Sequence, residues 1–230
     1  MIEVIVIITC LITIIVLKFA LGVNFKELKG FKTRGTKELE SLPKKFPESI
    51  EICKQILEKK KNQNVNIKEE EDYNSCLYTV FNNCITIGKF QQEYMKIQTI
   101  AHECIHSCQN KFTLWFNFIF TNIYLLYFII ISVLTIFNKM QNNIIYLIIL
   151  IFISLIQYVV RFSLESDAMQ NARYLAQEYI EDNNILNKEE KKLLLEEYDE
   201  VNKIAIPLTN FELIFKNIIK IIIYAVIILI

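Results

Sequence analysis

Turn-forming residues are scarce in this chain: four glycines and three prolines stand in 230 residues, against 53% hydrophobic side chains. That balance is too apolar and too poor in turns for an ordinary soluble domain. An excess of one charge is also missing, because 25 lysines and arginines are matched by 25 aspartates and glutamates. The lysines are balanced by glutamates within each polar stretch, so no nucleic-acid partner is expected. Six cysteines (10, 53, 76, 84, 104, 108) form no C-x-x-C pair, and they read as free, small apolar residues of a reducing compartment. Histidine is nearly absent, with two in the chain, so any imidazole chemistry must use His102 and His106.

The apolar residues are concentrated in blocks. Residues 2–21, 112–137 and 143–162 are long enough to cross the roughly 30 Å hydrocarbon layer as helices. A fourth block, 211–230, contains Lys216, Asn217 and Lys220, so it spans only if its lysines snorkel to the interface, and otherwise lies in the interface. The first block has Glu3 where a secretory signal carries positive charge, and no small-residue cleavage pattern follows it; it reads as a retained anchor.

Orientation is expected from charge. Lys18, Lys26, Lys29, Lys32, Arg34, Lys37, Lys44 and Lys45 crowd the far end of the first block, which the positive-inside rule puts in the cytoplasm. The short polar turn at 138–142 makes the next two blocks a hairpin that returns the chain to the same side. The expected organisation is an anchor at 1–22, a cytoplasmic α/β segment at 23–111, a transmembrane hairpin at 112–162, cytoplasmic helices at 163–210, and a C-terminal apolar helix at 211–230.

Within the polar stretches, residues 47–61 read as an amphipathic helix with Ile50, Cys53, Ile56 and Leu57 as its apolar stripe. Residues 69–72 read as an acidic surface loop. Residues 76–80 and 84–87 flank Asn82-Asn83 as a short hairpin or edge strand, and 91–109 resume helical periodicity. Residues 163–183 look helical. Asn187 with Glu190 suggests a capping box opening a helix through Leu193, Leu194, Tyr198, Val201 and Ile204, with Pro207 ending it.

His102 and His106 stand four residues apart, and Glu103 directly follows the first. Residues i and i+4 share a helix face, so both imidazoles can reach one metal ion. The glutamate does not ligate and is placed as general base for an attacking water. Two histidines scattered at random would give this H-E-x-x-H pattern in roughly one such chain in a thousand.

A catalytic zinc usually takes three protein ligands, and no third histidine exists. Glu165, just beyond the third apolar block, is the expected ligand, because a carboxylate there needs a reason. Ala168, Ala172 and Ala176 continue its helical face as a ridge of small side chains, along which another helix can approach closely. Asp167 and Glu178 are the reserves. A thiolate from Cys104 or Cys108 is the remaining option. Arg173 and Tyr174 are the candidate donors to a reaction oxyanion.

Residues 102–109 (H-E-C-I-H-S-C-Q) followed, after two apolar blocks, by Glu165-x-Asp167-Ala168 resemble the bacterial membrane-bound neutral zinc metallopeptidase family. More remotely they resemble the heat-shock membrane protease and CAAX prenyl protease families. The order of parts is similar over most of the chain. The resemblance implies zinc bound by His102, His106 and Glu165, with Glu103 as catalytic base. Ile105 stands where that family commonly has glycine, and its tyrosine-aspartate-proline turn before the strand has no clear counterpart here.

The expected fold class is therefore mainly α: an integral membrane, zincin-like metallopeptidase with about four transmembrane helices and a small α/β cytoplasmic segment. It would hold one zinc ion per chain and sit in the cell membrane with its site facing the cytoplasm. Its partners would be a protein or peptide substrate and the lipid bilayer. The alternatives are a non-catalytic membrane protein that binds zinc structurally, and a membrane adaptor without metal.

Overall fold

A computed structural model describes residues 1–24, 36–70, 72–90 and 92–230. The protein is mainly helical, at 75% helix. The helices are α1 (Ile2–Ala20), α2 (Lys37–Ser41), α3 (Ser49–Lys59), α4 (Lys96–Cys108), α5 (Lys111–Ile136), α6 (Asn143–Asp182) and α7 (Lys188–Leu229). Among the described residues three strands accompany them: β1 (Asn66–Glu69), β2 (Leu77–Thr79) and β3 (Cys84–Ile87). Lys26, Lys29, Lys32 and Arg34, half of the basic cluster behind the expected orientation, lie outside the described residues.

The shortage of glycine and proline has a direct consequence in the long helices. No breaker occurs between Asn143 and Asp182, so the third apolar block and the expected helix at 163–183 are one helix of 40 residues. Pro207 does not end its helix, contrary to the sequence expectation. It lies inside α7, which runs for 42 residues. A proline there removes one main-chain donor, and the nearest buried apolar residues on either side of it are Val201 and Phe211.

The chain divides into two compact units, residues 1–23, 116–163 and 207–230 forming one and residues 24–115 and 164–206 the other. In the first unit, α1, α5 and α6 are long and apolar enough to cross a membrane. The end of α7 is not among these three. Its Asn217 is buried, with Nδ2 donating to Ser154 O at 3.0 Å and Gln157 Oε1 at 2.8 Å. Lys220 Nζ stands 4.7 Å from the centre of the Tyr124 ring. Asn217 and Lys220 are thus spent on neighbouring helices, around a core of Tyr124, Ile131, Leu147, Leu150, Ile221 and Tyr224, while Lys216 pairs with Glu212 on its own helix at 3.2 Å.

In the second unit, β3 is the central strand, pairing parallel with β1 and antiparallel with β2. All four β3 residues are buried. The β2–β3 pair is the expected hairpin, with Asn83 in the left-handed region at φ 49° closing its turn. β1 was not expected, and Glu69, read as part of an acidic loop, is its last residue. Gly88 follows β3 where the main chain of the 73–75 loop crosses it; a Cβ there would meet Tyr73 O at 2.4 Å and Ser75 O at 2.5 Å.

Helix α4 buries Ile97, Ile100, Ala101 and Cys104, an i, i+3, i+4, i+7 stripe, in the core of this unit. The same core takes Ile52, Cys53, Ile56 and Leu57 of α3, Ile85 and Ile87 of β3, and Leu194 and Tyr198 of α7. The expected capping box opens α7: Asn187 Oδ1 accepts from Glu190 N at 2.9 Å, and Asn187 N donates back to Glu190 Oε2 at 3.2 Å.

Candidate metal centre

On a helix that advances 100° per residue, His102 and His106 fall roughly opposite the buried stripe of α4. The stripe fixes the helix against the core and turns both imidazoles away from it. Glu165 comes from α6, where Ala168, Ala172 and Ala176 are all buried in the core of the second unit. Side chains of that size allow the close helix approach a glutamate needs to reach a neighbour's histidines.

The three donors converge. His102 Nε2 and His106 Nε2 are 3.0 Å apart, and Glu165 Oε2 lies 3.7 Å from the first and 3.5 Å from the second. Ligands held about 2.0–2.1 Å from one ion at tetrahedral angles stand roughly 3.3 Å from each other, and the three distances bracket that value. The group fits a single metal ion, and among the described residues it is the one set of three such side chains close enough to do so.

Protonation follows from the same contacts. Burial disfavours the charge on Glu165, but the two histidines beside it outweigh that effect and hold its carboxyl well below the usual carboxylate range. Burial likewise opposes charge on His106, yet Glu165 and Glu103 raise its pKa above the ordinary value.

Gln109 orients His106. Its Nε2 donates to Leu164 O and to Asp167 Oδ2, each at 2.8 Å. Two acceptors on that side require the amide nitrogen there, so Oε1 faces His106 Nδ1 at 2.9 Å and accepts its proton. Neutral His106 therefore carries its hydrogen on Nδ1 and presents the Nε2 lone pair to the metal position.

Neither a protein-family model, nor a curated protein, nor a solved structure matches this chain.

Glu103 lies next to His102 on α4 and is buried, 7% exposed. Its Oε2 accepts the main-chain N–H of Tyr78, on edge strand β2, at 2.6 Å. Burial raises its carboxyl pKa, with the nearby histidines pulling the other way.

The other residues singled out from sequence are engaged elsewhere. Cys104 Sγ packs 3.7 Å from Cys53 Sγ inside the core, and that contact together with burial pushes its thiol well up. It is no ligand. Asp167 bonds Gln109 and Asn171, and Glu178 pairs with Lys59 at 2.8 Å, so neither reserve carboxylate joins the histidines. Arg173 is committed to Asp199 at 2.7 and 2.9 Å. Tyr174 is exposed beside a cavity of about 450 Å³ that Ile105, Cys108 and Gln109 also line. Neither is assigned an oxyanion role by these contacts.

Two contributors were missed from sequence. Gln109, three residues after His106, was legible in principle, since i, i+3 side chains meet on a helix. The Tyr78 amide was not, because a main-chain donor has no signature in side-chain identity.

Proposed function

We propose that the chain is a membrane-embedded, zinc-dependent endopeptidase that hydrolyses peptide bonds of membrane or membrane-proximal proteins, with the C-terminal apolar helix as a fourth crossing and the site facing the cytoplasm. One observation carries the reading: two histidines and a glutamate close to metal-ligand spacing, with a buried carboxylate on the residue between the histidines' two turns. Two imidazoles and a carboxylate suit zinc among divalent ions. The small sheet with an edge strand beside the motif helix supports a zincin-like arrangement.

Zinc, when bound, would acidify a water and polarise the scissile carbonyl. Glu103 takes the proton. The Tyr78 N–H occupies Oε2, which leaves Oε1 as the basic atom, and burial makes that carboxylate readier to hold a proton than a surface glutamate. The same oxygen then returns the proton to the leaving amine. Tyr78 also bears on the substrate. An extended peptide can add to the outer edge of β2, but the outward N–H of Tyr78 already serves Glu103, so a substrate uses the remaining main-chain groups of that edge.

The test compares zinc content and digestion of casein or a membrane protein by wild type and Glu103→Gln. Glutamine keeps an acceptor for Tyr78 but no basic oxygen, so the variant should retain the metal and lose cleavage. No metal in the wild type, or undiminished cleavage by the variant, overturns the reading. A structural zinc site is the second reading, favoured by the Glu103–Tyr78 bond, which ties helix to sheet. It requires that Glu103→Gln leave the biological role intact while His106→Ala disrupts folding.

A further inference from the structure

The turn joining β2 to β3, residues 80–83, carries Phe81, which is 72% exposed. A bulky aromatic is a poor choice for a hairpin tip that faces water. Its ring meets that of Trp115: the two are 6.4 Å apart between centroids, edge to face at 66°. Trp115 lies in the second turn of α5, one of the helices suited to crossing a membrane. Tryptophan near the end of a crossing helix sits at headgroup level. Phe112, three residues earlier and on the same helix face, is also exposed, and Lys111 beside it is the kind of residue that anchors a helix end at the interface.

We propose that the tip of the β2–β3 hairpin is a lipid-interface anchor, with Phe81 inserting beside Trp115 and Phe112 into the headgroup boundary of the leaflet from which α5 begins. The occupant is a lipid surface because the patch is continuous with a membrane-crossing helix. Strand β2 ends two residues before Phe81, and at no more than about 3.3 Å per residue Tyr78 lies within roughly 10 Å of the tip. The edge strand that holds Glu103 is thereby kept at the membrane surface, where it meets polypeptide as it leaves the bilayer. This rests on the membrane reading and is independent of peptide cleavage.

Trp115 is the single tryptophan of the chain, so fluorescence can report one site at a time. The full-length protein is reconstituted in phosphatidylcholine vesicles with and without bromine on the upper acyl carbons, once as wild type and once as F81W/W115F. Both emissions should be blue-shifted and reduced about twofold or more by the brominated lipid, with weak quenching by acrylamide. Quenched Trp115 with a water-exposed, bromine-insensitive tryptophan at 81 overturns the anchor and leaves the membrane reading standing. Blue-shifted but bromine-insensitive emission from position 81 also overturns it, since protein and not lipid then covers the tip. An unquenched Trp115 overturns both. Should F81W/W115F fail to fold, p-benzoylphenylalanine at position 81 in the native chain gives the same decision: a phospholipid adduct after illumination supports the anchor, and its absence from a cross-linked sample refutes it.

Discussion

The side-chain oxygen of Gln109 accepts the Nδ1 proton of His106 at 2.9 Å, while its nitrogen is held by Leu164 O and Asp167 Oδ2. One amide thus links the end of the motif helix to the helix that supplies Glu165, and sets which histidine nitrogen is free. Removing such an orienting partner typically lowers metal affinity about 10–100-fold. Gln109→Ala should show a loss of that size in competition with a chromophoric chelator, at unchanged helical content by circular dichroism. Unaltered affinity would mean that His106 is oriented by its own helix alone.

Glu165 differs from the reserve carboxylates in what it faces. Glu165→Ala should weaken zinc binding by at least about a hundredfold, beyond the range of an orienting residue, whereas Glu178→Ala removes only the exposed pair with Lys59. Equilibrium dialysis on both variants checks the assignment; equal behaviour of the two would remove Glu165 from the ligand set.

Ala172 is 1% exposed, between Ala168 and Ala176. Enlarging it to leucine adds volume to a filled contact, at a cost of about 1–3 kcal/mol. Ala172→Leu should lower the thermal midpoint and weaken metal binding together, since the alanine ridge governs how closely α6 approaches. A leucine tolerated with full metal affinity would show that the ridge does not set the position of Glu165.

Gly88 has no room for a side chain, because the Tyr73 and Ser75 carbonyls occupy the Cβ direction. Gly88→Ala should destabilise the sheet by about 1–3 kcal/mol or more through overpacking against main chain. Faster amide exchange in β3 relative to α4 is the expected signature.

Within the apolar unit, Asn217→Leu removes two interhelical hydrogen bonds, one of them the donor to Gln157 Oε1. Such bonds in membranes contribute about 0.6–2 kcal/mol. A modest fall in resistance to denaturing detergent is expected, without loss of bound metal.

Much of this was legible because it is local. The capping box at Asn187 and Glu190, the α4 stripe and the β2–β3 hairpin follow from spacings of a few residues, which sequence records directly. Pro207 misled because its helix penalty is local, while the packing of α7 at Tyr198 and Val201 before it and at Phe211 and Leu213 after it is tertiary. β1 was missed because its four residues, N-I-K-E, carry one apolar side chain, and a parallel partner distant in sequence supplies its hydrogen bonds.

The site divides along the same line. Sequence alone determined that two imidazoles share a helix face and that a glutamate sits between their turns, since i, i+4 geometry is a property of any α-helix. Only the tertiary structure decided among Glu165, Asp167, Glu178 and the cysteines, tied Glu103 to the Tyr78 amide, and turned Gln109 toward His106. The reason is physical: ligand choice depends on how closely two helices distant in sequence approach, and that distance exists only once the helices pack.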